Sequence, residues 1–289
     1  MSATARLAGF GLILAAVLTA AYGVGAALRS PAASGAPEVR SESDDAAHGG
    51  SHGSQADTSA EVLGDLSASD RGYALRLEST GLSAGRSVAV AFTITGPDGR
   101  PLRSYDVEHE KQLHLIAVRR DFAGYQHVHP ARDQAGRWST ALDLEPGSWR
   151  LFADFVPSDG GAPEGLTLGV ALEVAGSYAP TPLSPVSSAT HVGEYRVSLD
   201  GAPRIGMQTE LSFSVDGDGR VVVPEPYLGA RGHLVALREG DLAYLHVHPA
   251  EDSLSFAATF PTAGRYRLFL DMKVDGEVLT VPFTVEVGA

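Results

Sequence analysis

The phrase HLIAVRRDFAGYQHVHP at 114–130 returns as HLVALREGDLAYLHVHP at 233–249, identical at 9 of 17 positions. Every histidine keeps the same offset of 119: His114 matches His233, His127 matches His246, and His129 matches His248. A chain that repeats itself at this spacing builds one unit twice, with about 100 residues for each copy. Whatever the unit is, it must suit both copies of the phrase.

The texture on either side of the phrase is that of short strands. YALRLES (73–79), SVAVAFTIT (87–95), LHLIAVRR (113–120), WSTALDL (138–144), SWRLFADFV (148–156) and LTLGVALEV (166–174) are rich in Val, Ile, Phe and Leu and are separated by turn signals such as GPDGRP and EPGS. The order begins again with EYRVSLD (194–200), TELSFSV (209–215), GHLVALR (232–238), SLSFAATF (253–260), RYRLFLDM (265–272) and VLTVPFTVEV (278–287). No stretch of 12 residues keeps a helical period. The expected fold is all-β: two tandem immunoglobulin-like β-sandwich domains of about seven strands each, at 69–176 and 192–289. The Pro- and Ser-rich stretch 177–191 reads as the linker between them.

Ahead of the sandwiches the chain changes character. Residues 1–6 form a short N-terminal segment, and Leu7–Leu28 contains no charge, bracketed by Arg6 and Arg29. As a helix, that run rises about 33 Å, enough to span a bilayer, so a transmembrane helix is expected. A cleaved signal peptide ending near the small residues 24–26 is the competing reading. Residues 29–68, polar and rich in Gly, Ser and Ala, read as a disordered tether, with His48 and His52 in it. Both readings put the sandwiches outside the cytoplasm, at the cell membrane or secreted.

Composition narrows the chemistry. With a net charge of −13 nucleic acid is not expected as a partner, since holding phosphates would need a basic patch. With no cysteine, there are no disulfides, thiolate metal sites or thiol nucleophiles. No phosphate-cradling glycine loop and no carboxylate pair at a telling spacing is present, and the chain is read as a non-enzyme.

The histidines carry the remaining signal. His127 and His129 are two apart, so on a strand both point to one face. If each phrase is a hairpin, with turns near Asp121-Phe122 and Gly240-Asp241, a symmetric register puts His114 opposite His129 and His233 opposite His248. Three neutral imidazoles around one point suit Cu(II) or Zn(II). The expected ligands are therefore His114, His127 and His129 in one site and His233, His246 and His248 in another. Possible helpers are His109 and Glu110 (with Glu108) before the first hairpin, and the equivalent carboxylates Asp154 and Asp271, which either orient imidazoles or pair with Arg150 and Arg267. The bland reading is a polar cluster that hydrogen-bonds and pins the sandwich.

VEHEKQLHLIAVRRDFAGYQHVHP followed by GSWRLFADF, together with EPYLGARGHLVALREGDLAYLHVHP followed by YRLFLD, resembles a group of actinobacterial membrane-anchored exported proteins of uncharacterised or heavy-metal-binding type. The resemblance spans nearly everything after the anchor and implies a location and a fold more than an activity. More distantly the chain is similar to YtkA-like and CopC-type copper-handling domains. It departs from the CopC-type pattern in having no histidine at a mature N-terminus and no Met-rich loop. The function expected is metal buffering or delivery with copper or zinc; the alternative is an interaction module that meets another envelope protein.

Overall fold

A computed structural model of the chain describes residues 66–163, 165–245, 247–250 and 252–288. The expected anchor and nearly all of the tether lie outside the described residues. Among the described residues there is no α-helix, and no helix long and apolar enough to cross a membrane. Each repeat is a two-sheet β-sandwich.

In the first repeat one sheet has the order β1 (Ser69–Asp70), β2 (Tyr73–Leu77), β4 (Gly85–Thr95), β8 (Arg137–Leu144), β7 (Ala131–Arg132). The other runs β3 (Gly81–Ser83), β10 (Leu166–Ala175), β9 (Gly147–Phe155), β5 (His114–Arg119), β6 (Gln126–Val128), and its β3–β10 pairing is parallel. In the second repeat β11 (Ala189–Val192), β12 (Tyr195–Asp200), β13 (Gln208–Gly217), β18 (Ser255–Thr259) and β17 (His248–Pro249) make one sheet, with β14 (Arg220–Val222) also on β13. Its other sheet is β16 (Tyr244–Leu245), β15 (Gly232–Arg238), β19 (Gly264–Val274), β20 (Glu277–Val287). Strand β11 occupies the end of the stretch read as linker, because its Ala189–Val192 backbone pairs with Tyr195–Ser198 across a tight turn.

Two kinds of strand build these sandwiches. On β4, Val90, Phe92 and Ile94 point into the core while the residues between them stay partly exposed, the alternation of a strand with one wet face. Strand β5 has no such alternation: all six of its residues are buried, and β15 is buried from Gly232 to Leu237. Leu115 and Ala117 fill the first core and Leu234 and Ala236 the second. Their neighbours Ile116, Val118, Val235 and Leu237 form a third cluster with Phe122, Phe152, Leu242, Tyr244 and Phe269. That cluster is the contact between the repeats. The β5/β9 sheet of one sandwich lies face to face on the β15/β19 sheet of the other.

The contact has an approximate two-fold character. Tyr125 stacks on Phe269 with ring centroids 4.0 Å apart, and the equivalent pair with the repeats exchanged, Tyr244 and Phe152, meets at 5.5 Å. Arg150 lies over Phe152 and Arg267 over Phe269. Arg120, at the first hairpin turn, donates to the Gly240 carbonyl in the second.

Both tryptophans, Trp138 and Trp149, belong to the first repeat, whereas Phe269 belongs to the second. Phe269→Ala should therefore lower the tryptophan-monitored urea midpoint by an amount worth about 3–5 kcal/mol, the usual cost of emptying a buried Phe site. An unchanged midpoint in the variant would mean that the repeats unfold independently of the contact.

Candidate metal centre

The site lies at one end of the contact between the repeats. In the first hairpin Leu115 pairs with Val128, Ile116 with His127 and Ala117 with Gln126, a register centred between Asp121 and Phe122. His127 therefore shares the face of Ile116, and His114 shares that face as well, since it lies two residues before Ile116. This is the face that the second repeat covers. After Val128 the chain crosses to the other sheet, where Ala131 pairs with Ser139, and His129 sits at the crossing.

His114, His127 and His129 come together. Their ligand nitrogens all lie within 4.8 Å of one another, and the ring centroids are 5.2, 4.9 and 5.1 Å apart. His114 Nδ1 is 3.0 Å from His127 Nε2 and 3.1 Å from His129 Nε2. Three imidazoles bound to one tetrahedral ion at about 2.0–2.1 Å would hold their nitrogens about 3.3 Å apart. The two distances from His114 Nδ1 lie within a few tenths of an ångström of that spacing.

Hydrogen bonds on the far sides of the rings decide what the near sides present. His114 Nε2 faces the Glu108 carbonyl oxygen at 3.2 Å, and a carbonyl only accepts, so the proton of the neutral ring belongs on Nε2. His127 Nδ1 faces the Asp271 carboxylate at 2.9 Å, which places its proton on Nδ1. The two nitrogens that meet at 3.0 Å then both carry lone pairs. With all three rings neutral, His129 has the one proton available to lie among three converging nitrogens. A divalent cation between the rings would satisfy both lone pairs at once.

Asp271 is 2 % exposed and belongs to the second repeat. Besides His127 it accepts from Tyr125 Oη at 3.1 Å and from Thr280 Oγ1 at 2.5 Å, so it ties the first hairpin to the second sandwich. The Tyr125 phenol is pushed well up, first by burial and then by the Asp271 charge, and stays protonated as a donor. The expected pairing of Asp271 with Arg267 does not form: four residues along a strand span about 13 Å. Arg267 donates instead to Thr284 Oγ1, and Arg150 to the Leu66 and Gly169 carbonyls. Asp154 lies 3.4 Å from Thr167 Oγ1.

The second set of histidines is arranged differently. His233 is buried with its Nε2 3.0 Å from the Tyr227 carbonyl, the same device that His114 uses with Glu108. Its ring lies 6.3 Å from His114 and 6.2 Å from His127, on the edge of the first cluster. The second hairpin keeps the expected register at Ala236–Leu245 and Leu237–Tyr244. His246 lies outside the described residues. His248 is already on β17, paired with Ala257 in the other sheet, so the crossing comes earlier than in the first repeat.

Several participants had no place in the sequence reading. Glu108 serves through its backbone oxygen rather than its carboxylate, and Tyr125 and Thr280 were not singled out. The tyrosine was visible as the first letter of both YQHVHP and YLHVHP. The unbroken apolar runs LIAV and LVAL were the signal that a second face is buried too.

A family model described as a domain of unknown function (DUF8832) matches residues 67–169 and again 190–289. The chain belongs to the DUF8832 family. Its two family matches coincide with the two sandwiches. No curated protein matches the chain. Among solved structures, this chain is similar to the Escherichia coli adhesin FdeC (17% identity over 76% of this chain and 65% of that one, TM-score 0.27). It is also similar to the Yersinia pseudotuberculosis adhesin InvE (13%, 74% and 58%, TM-score 0.24) and to fibronectin(III)-like modules of Clostridium thermocellum CbhA (9%, 74% and 92%, TM-score 0.22). The chain spans less than two thirds of the two adhesin chains.

Burial lowers His114 to about 3, with the neighbouring His127 contributing, and lowers His129 and His233 to about 4. The unfolded chain takes up these protons near pH 6.5 while the folded chain resists them. The resulting stability is fully present above about pH 6.5 and is lost as the pH falls toward the folded values. With a chelator present, the urea midpoint should fall steadily from about pH 7 to about pH 4.5, and less so in His114→Gln/His233→Gln. A flat midpoint over that range would contradict the burial of neutral imidazoles.

Proposed function

We propose that this DUF8832 chain binds Cu(II) or Zn(II) at His114, His127 and His129, as an exported, membrane-tethered protein that buffers or delivers the ion. The observation that carries this reading is the convergence of three imidazole nitrogens, with His114 Nδ1 3.0 Å from His127 Nε2 and 3.1 Å from His129 Nε2. Neutral imidazole is the form that a metal needs, and burial keeps His114 and His129 neutral at physiological pH. The nitrogen-only donor set suits Cu(II) and Zn(II) better than Cu(I), which prefers sulfur. Met272 is buried in the second core and Met207 is exposed, and neither belongs to the cluster. The proposal extends to immunoglobulin-like topology and an anchor at 7–28.

A second reading has its own observation. Asp271, His127, Tyr125 and Thr280 form a buried chain of hydrogen bonds across the repeats. On this reading that chain of hydrogen bonds is a structural clamp without metal, and the protein is an interaction module for another envelope protein.

Calorimetric titration of the full chain with Cu(II), and separately with Zn(II), distinguishes the two. The metal reading expects tight binding that is lost in His127→Ala/His129→Ala and kept in His246→Ala/His248→Ala, apart from any second equivalent. Removing two of three ligands should cost well over about tenfold in affinity, since even changes to groups behind the ligands cost about 10–100-fold. Heat no greater than that of an exposed histidine, together with destabilisation of the first variant in chelator, would leave the clamp as the function of the cluster.

A further inference from the structure

Two histidines flank the three-histidine cluster without joining it. Where the clustered rings lie 4.9–5.2 Å apart, His109 is 6.1 Å from His114, and His233 is 6.3 Å from His114 and 6.2 Å from His127. His109 and His233 themselves, one from each repeat, are 5.0 Å apart, edge to face, the same spacing as within the three-histidine cluster. His233 keeps its Nε2 proton on the Tyr227 carbonyl, which leaves Nδ1 as a donor of electrons.

His109 is held in place at some cost. It sits at the tip of the tight turn Glu108–Lys111, where both His109 (φ 46°) and Glu110 (φ 63°) adopt the left-handed conformation that side chains disfavour. The equivalent turn of the second repeat, Tyr227–Ala230, carries Leu228 and Gly229, and Leu228 is buried. The first repeat thus presents an exposed imidazole where the second presents an apolar side chain. A cavity of about 60 Å³ runs beneath it, lined by His109, His233, His114 and His127, with three carboxylates (Asp106, Glu108 and Asp154) against one cation, Lys111. That is room for an ion with a water or two.

We propose that His109 and His233 form a second, solvent-facing position for the same nitrogen-preferring divalent cation, and that the buried three-histidine centre is loaded through it. The inference rests on the metal reading above. An ion meets the exposed His109 first, is shared with His233, and passes along the cavity wall to His114 and its two partners. Because His109 and His233 come from different repeats, the entry position exists only when the two sandwiches are packed together.

Stopped-flow loading of the full chain with Cu(II), paired with equilibrium competition titration, tests the path. His109→Asn and His109→Gly both keep a turn that needs positive φ. Both should leave the equilibrium affinity of the buried centre essentially unchanged, slow its loading by about tenfold or more, and abolish a weaker second equivalent of Cu(II). His233→Gln should do the same. Unchanged loading in both His109 variants would overturn the path, as would a large loss of equilibrium affinity, which would make His109 a ligand of the buried centre instead. Absence of tight binding in the unaltered chain is a separate result, and it would overturn the three-histidine reading along with this one.

Discussion

Everything in this molecule follows from two strands that cannot leave a face in water. A sandwich needs one apolar face per sheet, yet β5 and β15 are buried on both, and Ile116, Val118, Val235 and Leu237 have no place in either sandwich core. Fully burying an aliphatic side chain of this size is worth about 1.5–3 kcal/mol, so four of them, with Phe152 and Phe269 alongside, make the packed pair of repeats the stable unit. The tandem arrangement is thus a consequence of duplication acting on a two-sided strand. A lone copy would expose the contiguous patch that the other copy now covers.

Closing that contact is what gives the histidines their chemistry. On an isolated first hairpin His114 and His127 would face solvent and hydrogen-bond with water. Inside the contact, Asp271 arrives from the other repeat and accepts a hydrogen bond from His127 Nδ1–H, while the Glu108 carbonyl accepts one from His114 Nε2–H. Each hydrogen bond points a lone pair inward. Burial also holds His114 and His129 neutral, and nitrogens of the cluster face one another as acceptors. Oriented rings, their protons directed outward to fixed oxygen partners, are the arrangement by which proteins raise the basicity of imidazole ligands.

The all-β class, the duplication and the hairpin register were legible because strand period and turn position are local. With the turn centred at Asp121-Phe122, pairing His127 with Ile116 requires only counting, and the same count held at Ala236–Leu245. What could not be counted was which surface the histidine face would meet. The acids behind the ligands illustrate this. Asp154 and Asp271 are equivalent in sequence and both stood as helpers, but that Asp271 serves the other repeat's histidine depends on packing between units 144 residues apart at that hydrogen bond. The Glu108 carboxylate drew notice as an acid, while its role is played by a backbone oxygen that every residue type possesses.

Duplication would by itself place two equal sites about the approximate two-fold, and the second copy has departed from that expectation at the backbone. In the first repeat β6 runs to Val128 before the chain crosses between sheets; in the second, the inner pairing among the described residues ends at Leu245, two residues before Val247, the equivalent of Val128, and His248-Pro249 is already bonded to the outer sheet. Proline lacks an amide proton, so His-Pro marks a place where a ladder can end on either side without an orphaned donor. The two copies end theirs at different residues. The turn that precedes each buried histidine has diverged in parallel, from His109-Glu110 to Leu228-Gly229, exchanging an exposed ring for a buried aliphatic. Equivalent backbones thus hold unequal surroundings for His114 and His233, and the contact between the repeats, symmetric in its aromatic stacking, is asymmetric at the end where the imidazoles meet.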